Sequence, residues 1–188
     1  MGVNPLAAKR AAFVAEAAQE AGRLWDYYLQ EVARCESPIE QLFLGEAFVR
    51  GWHAPHLKET FWDEGLALFS RMPGLDKSGA RGVIVTDGCA YMISQLPLLL
   101  AGRAMRLDFA FGYPGSKSPL AVEIDGHDYH ERTKEQARRD KSRDRLLTRH
   151  GWRVLRFTGS EVFADAATCW AEVDELLLTM ATAKEAAK

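Results

Sequence analysis

A chain of 188 residues is the length of one domain with a single sizeable core. Its formal net charge of -2 and pI near 6.2 give no sign of a uniformly basic nucleic-acid binder. The charge is nevertheless uneven: between residues 132 and 156, ten Lys or Arg stand against three acids, so the remainder is distinctly acidic. Such a block is either a solvated helix face or a phosphate-attracting surface. Cys35, Cys89 and Cys169 lie far apart with no Cys-x-x-Cys pair, which argues against a zinc knuckle or disulfide framework and fits a reducing cytoplasm. The opening MGVNPLAAKR lacks the apolar core of a signal peptide, and Leu96 to Leu100 is far too short to cross a bilayer. With Leu at position 6 the myristoylation pattern also fails, so a soluble chain without membrane association is expected.

In chain order, Ala11, Val14, Ala18, Ala21, Trp25, Tyr28 and Val32 recur at three- and four-residue steps, one apolar stripe on a long helix. That stripe either packs on its own domain or forms a homodimer seam with a second copy. Residues 1–35 are accordingly read as an N-terminal helical extension and 36–188 as the main domain. Ser37-Pro38-Ile39-Glu40 reads as a helix start, with Ser37 as N-cap, Pro38 at the first helical position and Glu40 closing a capping box. Leu42, Phe43, Ala47 and Phe48 supply that helix's apolar face. Periodicity is lost over residues 51–82, read as an irregular insert with a short helix near 66–69.

Val83 to Thr86 and Ala90 to Ser94 read as a hairpin turning at Asp87-Gly88. Arg106 to Phe111 alternates, so Leu107, Phe109 and Phe111 should share one face and Arg106, Asp108 and Ala110 the other. In Leu120 to Asp125 the same rule sets Leu120, Val122 and Ile124 against Ala121, Glu123 and Asp125, so the acids should project together from the side away from the core. A polar helix over 133–149 with a Thr133/Gln136 capping box and Gly151 as C-cap follows, then a strand over 152–157 and a final helix over 165–183. The order points to a mixed α/β layer structure.

The densest chemistry lies in AVEIDGHDYH, residues 121–130. Asp125-Gly126 is not read as a hairpin turn, because no apolar strand follows it. Two neighbouring strands aiming Asp108, Glu123 and Asp125 outward beside Ala110 and Ala121 leave room for a hard cation. Magnesium would suit two or three carboxylates plus a phosphate, and manganese is possible too. His130 is far enough past the strand to swing back as a proton donor or acceptor. The alternatives are a polar outer strand face for the acids, an exposed polar His130, and helix-surface ion pairing for Asp140 and Arg143. Zinc at His53 and His56 is a weaker possibility.

Taken together, SPIEQLF, RLDFAF, AVEIDGHDYH, ARRDKSRDRLL and GWRVLRF make residues 36–163 resemble the PD-(D/E)XK nuclease superfamily, in the branch similar to very-short-patch-repair endonucleases. The resemblance implies a restriction-endonuclease-like core, a central mixed sheet flanked by helices. Asp108 and Glu123 would be the motif acids, and Glu40 the acid on the preceding helix. The lysine usual two residues after the second acid is Asp125 here, and His130 matches a histidine that would replace it. Asp140 and Arg143 match a recurring Asp-x-x-Arg. The implied activity is magnesium-dependent DNA cleavage, with Asp108, Glu123 and Asp125 on the metal and Glu40 in support. Arg138, Arg139, Lys141 and Arg143 would lie on phosphates, with Asp140 supporting them. Two further readings stay open: a non-catalytic nucleic-acid- or protein-binding module on this fold, and a zinc hydrolase using His127 and His130.

Overall fold

The structure, a computed structural model, describes residues 5–51, 84–86, 90–112, 118–126 and 134–185. The insert, the Asp87-Gly88 turn, residues 127–130 and the Thr133 cap lie outside them. Two compact units divide the chain, Met1–Ala33 and Arg34–Lys188. The described part of the first is the long helix α1 (Pro5–Arg34), on which the rings of Trp25 and Tyr28 lie tilted by 38° with centroids 5.4 Å apart.

The second unit is an α/β fold with a restriction-endonuclease-like core. Its described elements are α2 (Pro38–Gly51), β1 (Ile84–Thr86), β2 (Ala90–Leu100), β3 (Arg103–Gly112), β4 (Leu120–Asp125), α3 (Lys134–Arg149), β5 (Arg153–Thr158) and α4 (Gly159–Glu185). The five strands form one mixed sheet in the order β1-β2-β3-β4-β5. The first three pairings are antiparallel; β4 and β5 are parallel and are joined by α3 as a crossover helix.

Local capping sets where the helices begin and end. The Glu40 backbone N–H donates to Ser37 Oγ (3.2 Å), and the Glu40 carboxylate reaches back to the Glu36 N–H (2.9 Å) and the Ser37 hydroxyl (2.8 Å). At the other end of the domain, α3 stops in a Schellman motif. Trp152 N–H donates to Leu147 O (3.1 Å), Gly151 N–H to Thr148 O (3.0 Å), and Gly151 takes the left-handed φ of 84°. Replacing Gly151 with Ala should therefore cost about 1 kcal/mol in a urea melt, with Asn tolerated better, because only the α-carbon substituent opposes that angle.

The last helix starts earlier than its pattern suggests. Thr158 and Glu161 cap a first turn at Gly159, and Asp165, with non-helical angles, then caps the longer segment by accepting from Thr168.

Packing corrects two expectations about the strands. First, β2 runs to Leu100 and turns directly into β3 through Ala101 and Gly102, both at positive φ, where a hairpin ending near Ser94 was expected. An Ala-Gly pair lacks the Asn or Asp that would have marked the turn.

Second, Leu107 does not share the side of Phe109 and Phe111. It packs with Leu96, Ala110, Ala121, Leu147 and Trp152 under α3, whereas Phe109 and Phe111 pack on Phe43 of α2 and Trp170 of α4. The ladder steps from Ser94↔Phe109 to Leu96↔Leu107, with no pair between Gln95 and Asp108. Gln95 itself has a φ of 51°. The register is kept across this gap, and both strands change faces there together: Ile93 and Leu96 of β2 and Ala110 and Leu107 of β3 lie in the same core. Both faces of the sheet are covered, so the acids do not point to a solvated far side: Glu123 is 3% exposed. A parallel pair requires a crossover helix, and α3 covers the face the acids occupy.

Candidate active site

The site forms where β3 and β4 part. Their ladder pairs Phe109↔Val122, and one step further the Asp108 side chain takes over, its Oδ2 accepting the Ile124 N–H at 2.7 Å. The carboxylate thus satisfies a backbone donor that strand separation would otherwise leave bare. Glu123, adjacent to that donor on β4, presents Oε1 to the Arg143 guanidinium of α3 (2.8 Å), and Arg143 also donates to the Arg106 carbonyl. Asp125 pairs with Arg156 of β5 at 2.9 Å, and Arg156 forks onto both carboxylate oxygens of Asp144 at 2.7 to 3.2 Å. On the α2 side, Glu40 Oε2 accepts from the Gln95 amide at 2.7 Å.

Electrostatics follow from this placement. Burial raises Asp108 from its ordinary 3.8 to about 6 against the pull of the Ile124 hydrogen bond, with the negative charge of Glu40 adding to the rise. Burial also raises Glu123 from 4.5 to about 8, outweighing the Arg143 guanidinium beside it, and the charge of Asp108 raises it further. Arg156 is held charged above its usual range: burial opposes the charge, but the hydrogen bonds to Asp144 and the nearby acids outweigh it.

Four of the residues expected from the sequence are therefore placed at or beside this opening: Asp108, Glu123, Asp125 and Glu40. Glu40 serves as helix cap and neighbour of Asp108 at once. Arg143 turns inward onto Glu123, while Arg138, Arg139 and Lys141 are exposed along α3 and Asp140 is half-buried there. His130 lies outside the described residues, as do His127, His53 and His56. Among the described residues no three His, Cys, Asp or Glu side chains are grouped to hold a metal ion. The donor chemistry still fits a divalent cation in a leaner form. Asp108 and Glu123 are two oxygen donors whose joint ionisation is disfavoured by burial and by each other, and magnesium is commonly held by one or two carboxylates plus waters and phosphate.

Two residues of the site escaped the sequence reading. Arg156 lies in parallel register with Glu123, a strand partnership that sequence spacing does not encode; its one trace is a charge between Leu155 and Phe157. Gln95 gave no signal beyond being polar in an apolar run.

No described helix is long and apolar enough to cross a membrane. Comparison with curated proteins and with solved structures gives no match. A family model does match, described as REase_MTES_1575, over residues 100–177. That span holds β3, β4, α3 and β5 with Asp108, Glu123, Asp125, Arg143 and Arg156, and excludes Glu40 and Gln95. Over the part that builds the sheet opening, then, this chain is similar to a restriction-endonuclease-like family, and the match supports a nuclease-type function.

Proposed function

We propose that the protein is a divalent-cation-dependent endonuclease hydrolysing phosphodiester bonds in DNA. The observation that carries this reading is the pair of half-buried Asp108 and buried Glu123 at the parting of β3 and β4, two acids whose charging burial resists. In the proposed site Asp108 and Glu123 hold magnesium or manganese, with Asp125 oriented beside them by Arg156. When bound, the cation would polarise the scissile phosphate and lower the pKa of an attacking water.

The chain's own groups do the rest. Arg143 neutralises Glu123 and is within reach of a phosphate that approaches it. Glu40, fixed by Ser37 and Gln95, adds negative charge next to Asp108. His130, five residues beyond Asp125 in sequence, carries the proton transfer. Exposed Arg138, Arg139 and Lys141, supported by Asp140, contact the DNA backbone, an interaction that supplies affinity rather than sequence preference.

A second reading draws support from the ion pairs. Arg143 and Arg156 already compensate Glu123 and Asp125, as they would in a non-catalytic binding module on a nuclease-derived fold. Cleavage assays on duplex, mismatched and single-stranded DNA and on RNA, each with magnesium, manganese or chelator, separate the two. Metal-dependent cutting of a DNA substrate is the expected result, and binding without cutting under every condition supports the module.

If α3 is the phosphate surface, affinity should fall by about 0.9 log unit per log unit of salt for each duplex phosphate neutralised. Arg138→Glu with Arg139→Glu should flatten the slope by about two phosphates' worth. An unchanged slope would move the nucleic acid to another face.

A further inference from the structure

Gln95 carries two unfavourable features at one position. Its φ of 51° lies in the left-handed region that residues other than glycine and asparagine seldom adopt. Its side chain is buried, with the residue 6% exposed, and the Oε1 carbonyl has no hydrogen-bond partner, an arrangement native interiors rarely tolerate. Rotation of the amide would bring no relief, because Nε2 donates to Glu40 Oε2 at 2.7 Å. Glu40 is itself fixed by the Glu36 N–H and the Ser37 hydroxyl. Residues that combine backbone strain with an unsatisfied buried group mark functional sites, where the cost is met by something bound.

The surroundings indicate what that is. Gln95 stands opposite Asp108 at the skipped position of the β2–β3 ladder, and the charge of Glu40 acts on Asp108 as well. Glu40 therefore holds the amide nitrogen of Gln95 while its charge acts on Asp108 one strand away, and the amide oxygen is committed to no partner. We propose that the Gln95 side-chain carbonyl is a ligand of the divalent cation held by Asp108, a proposal that rests on the metal reading above. A neutral amide oxygen is a hard donor suited to magnesium or manganese. It adds a ligand without adding a negative charge to a pocket that already resists a second one. Glu40 then acts as the positioning residue that aims the amide.

The test is calorimetric titration of manganese into the full chain without nucleic acid, paired with thermal melts in chelator and in manganese. Gln95→Met removes the oxygen while keeping the side chain's length. It should weaken manganese binding about tenfold, the scale on which lost support of a metal site is felt, and shrink the manganese-induced rise in melting temperature. Gln95→Glu keeps an oxygen in place but repels Glu40. It should melt below the parent in chelator, retain manganese binding and gain the larger rise when manganese is added. Parent-like manganese affinity in Gln95→Met, with weakened binding in Glu123→Gln, would overturn the ligand role and leave the metal site standing. Absence of manganese binding in the parent would overturn both the ligand role and the metal reading beneath it.

Discussion

Asp108→Asn and Glu123→Gln should melt at or above the parent's temperature in chelator at pH 8. Both carboxyls have folded-state pKa values, about 6 and about 8, above their ordinary 3.8 and 4.5. From about pH 4 upward the folded state retains protons that the unfolded state has released. The stability these groups contribute is full below their unfolded values and is lost as pH rises through about 6 for Asp108 and about 8 for Glu123. At pH 8 a neutral amide relieves the parent of that burden. The gain should be about 1–3 kcal/mol per variant, or several degrees of melting temperature.

Each amide also keeps the oxygen that its neighbour needs, for the Ile124 N–H in one case and Arg143 in the other. The parent's melting temperature in chelator should fall between pH 5 and pH 8, and Glu123→Gln should flatten that fall. Magnesium should raise the parent's melting temperature and barely move the variants', since only a ligand of the folded form stabilises it. Variants that melt well below the parent in chelator at pH 8 would make the two acids structural anchors.

Removing Arg156 should have the opposite sign. Its guanidinium joins Asp125 to Asp144, and in Arg156→Met two partly buried carboxylates face each other without a cation. Deleting one member of a fully buried pair costs about 3–5 kcal/mol. Because the Arg156 and Asp144 side chains are 21% and 34% exposed, about 2–3 kcal/mol is expected here, roughly 5–10 °C of melting temperature. Adding Asp144→Asn should recover about half of that, because the cost lies in the stranded charge more than in the lost bonds. A single variant melting within about 1 °C of the parent would show the network to be solvated and energetically neutral.

The contrast between these outcomes follows what each residue's neighbours reveal in the sequence. Helix ends were legible because capping is local: Ser37 lies three residues from Glu40, and Gly151 two residues past the end of its helix. Asp108 and Glu123 stood out because two neighbouring strands each carry an acid on the face expected to point away from the core, beside small Ala110 and Ala121. Arg156 did not, because its meaning depends on β5 lying parallel to β4, which α3 imposes and which no spacing records. The exchange of strand faces at Gln95 was hidden for the same reason. Alternation counts residues, and a break shared by β2 and β3 at Gln95 and Asp108 shifts both counts without altering the composition. Burial of Glu123 likewise comes from α3 folding back over a sheet that looked half-polar in sequence.

The most direct measurement is nicking and linearisation of supercoiled plasmid by the parent, Asp108→Asn and Glu123→Gln, side by side in magnesium and in chelator. Cutting by the parent in magnesium, none in chelator, and loss of at least 100-fold in both variants are expected, about 2.7 kcal/mol of transition-state stabilisation or more. Cutting that persists in chelator, or that survives in both folded variants, would contradict the proposed site.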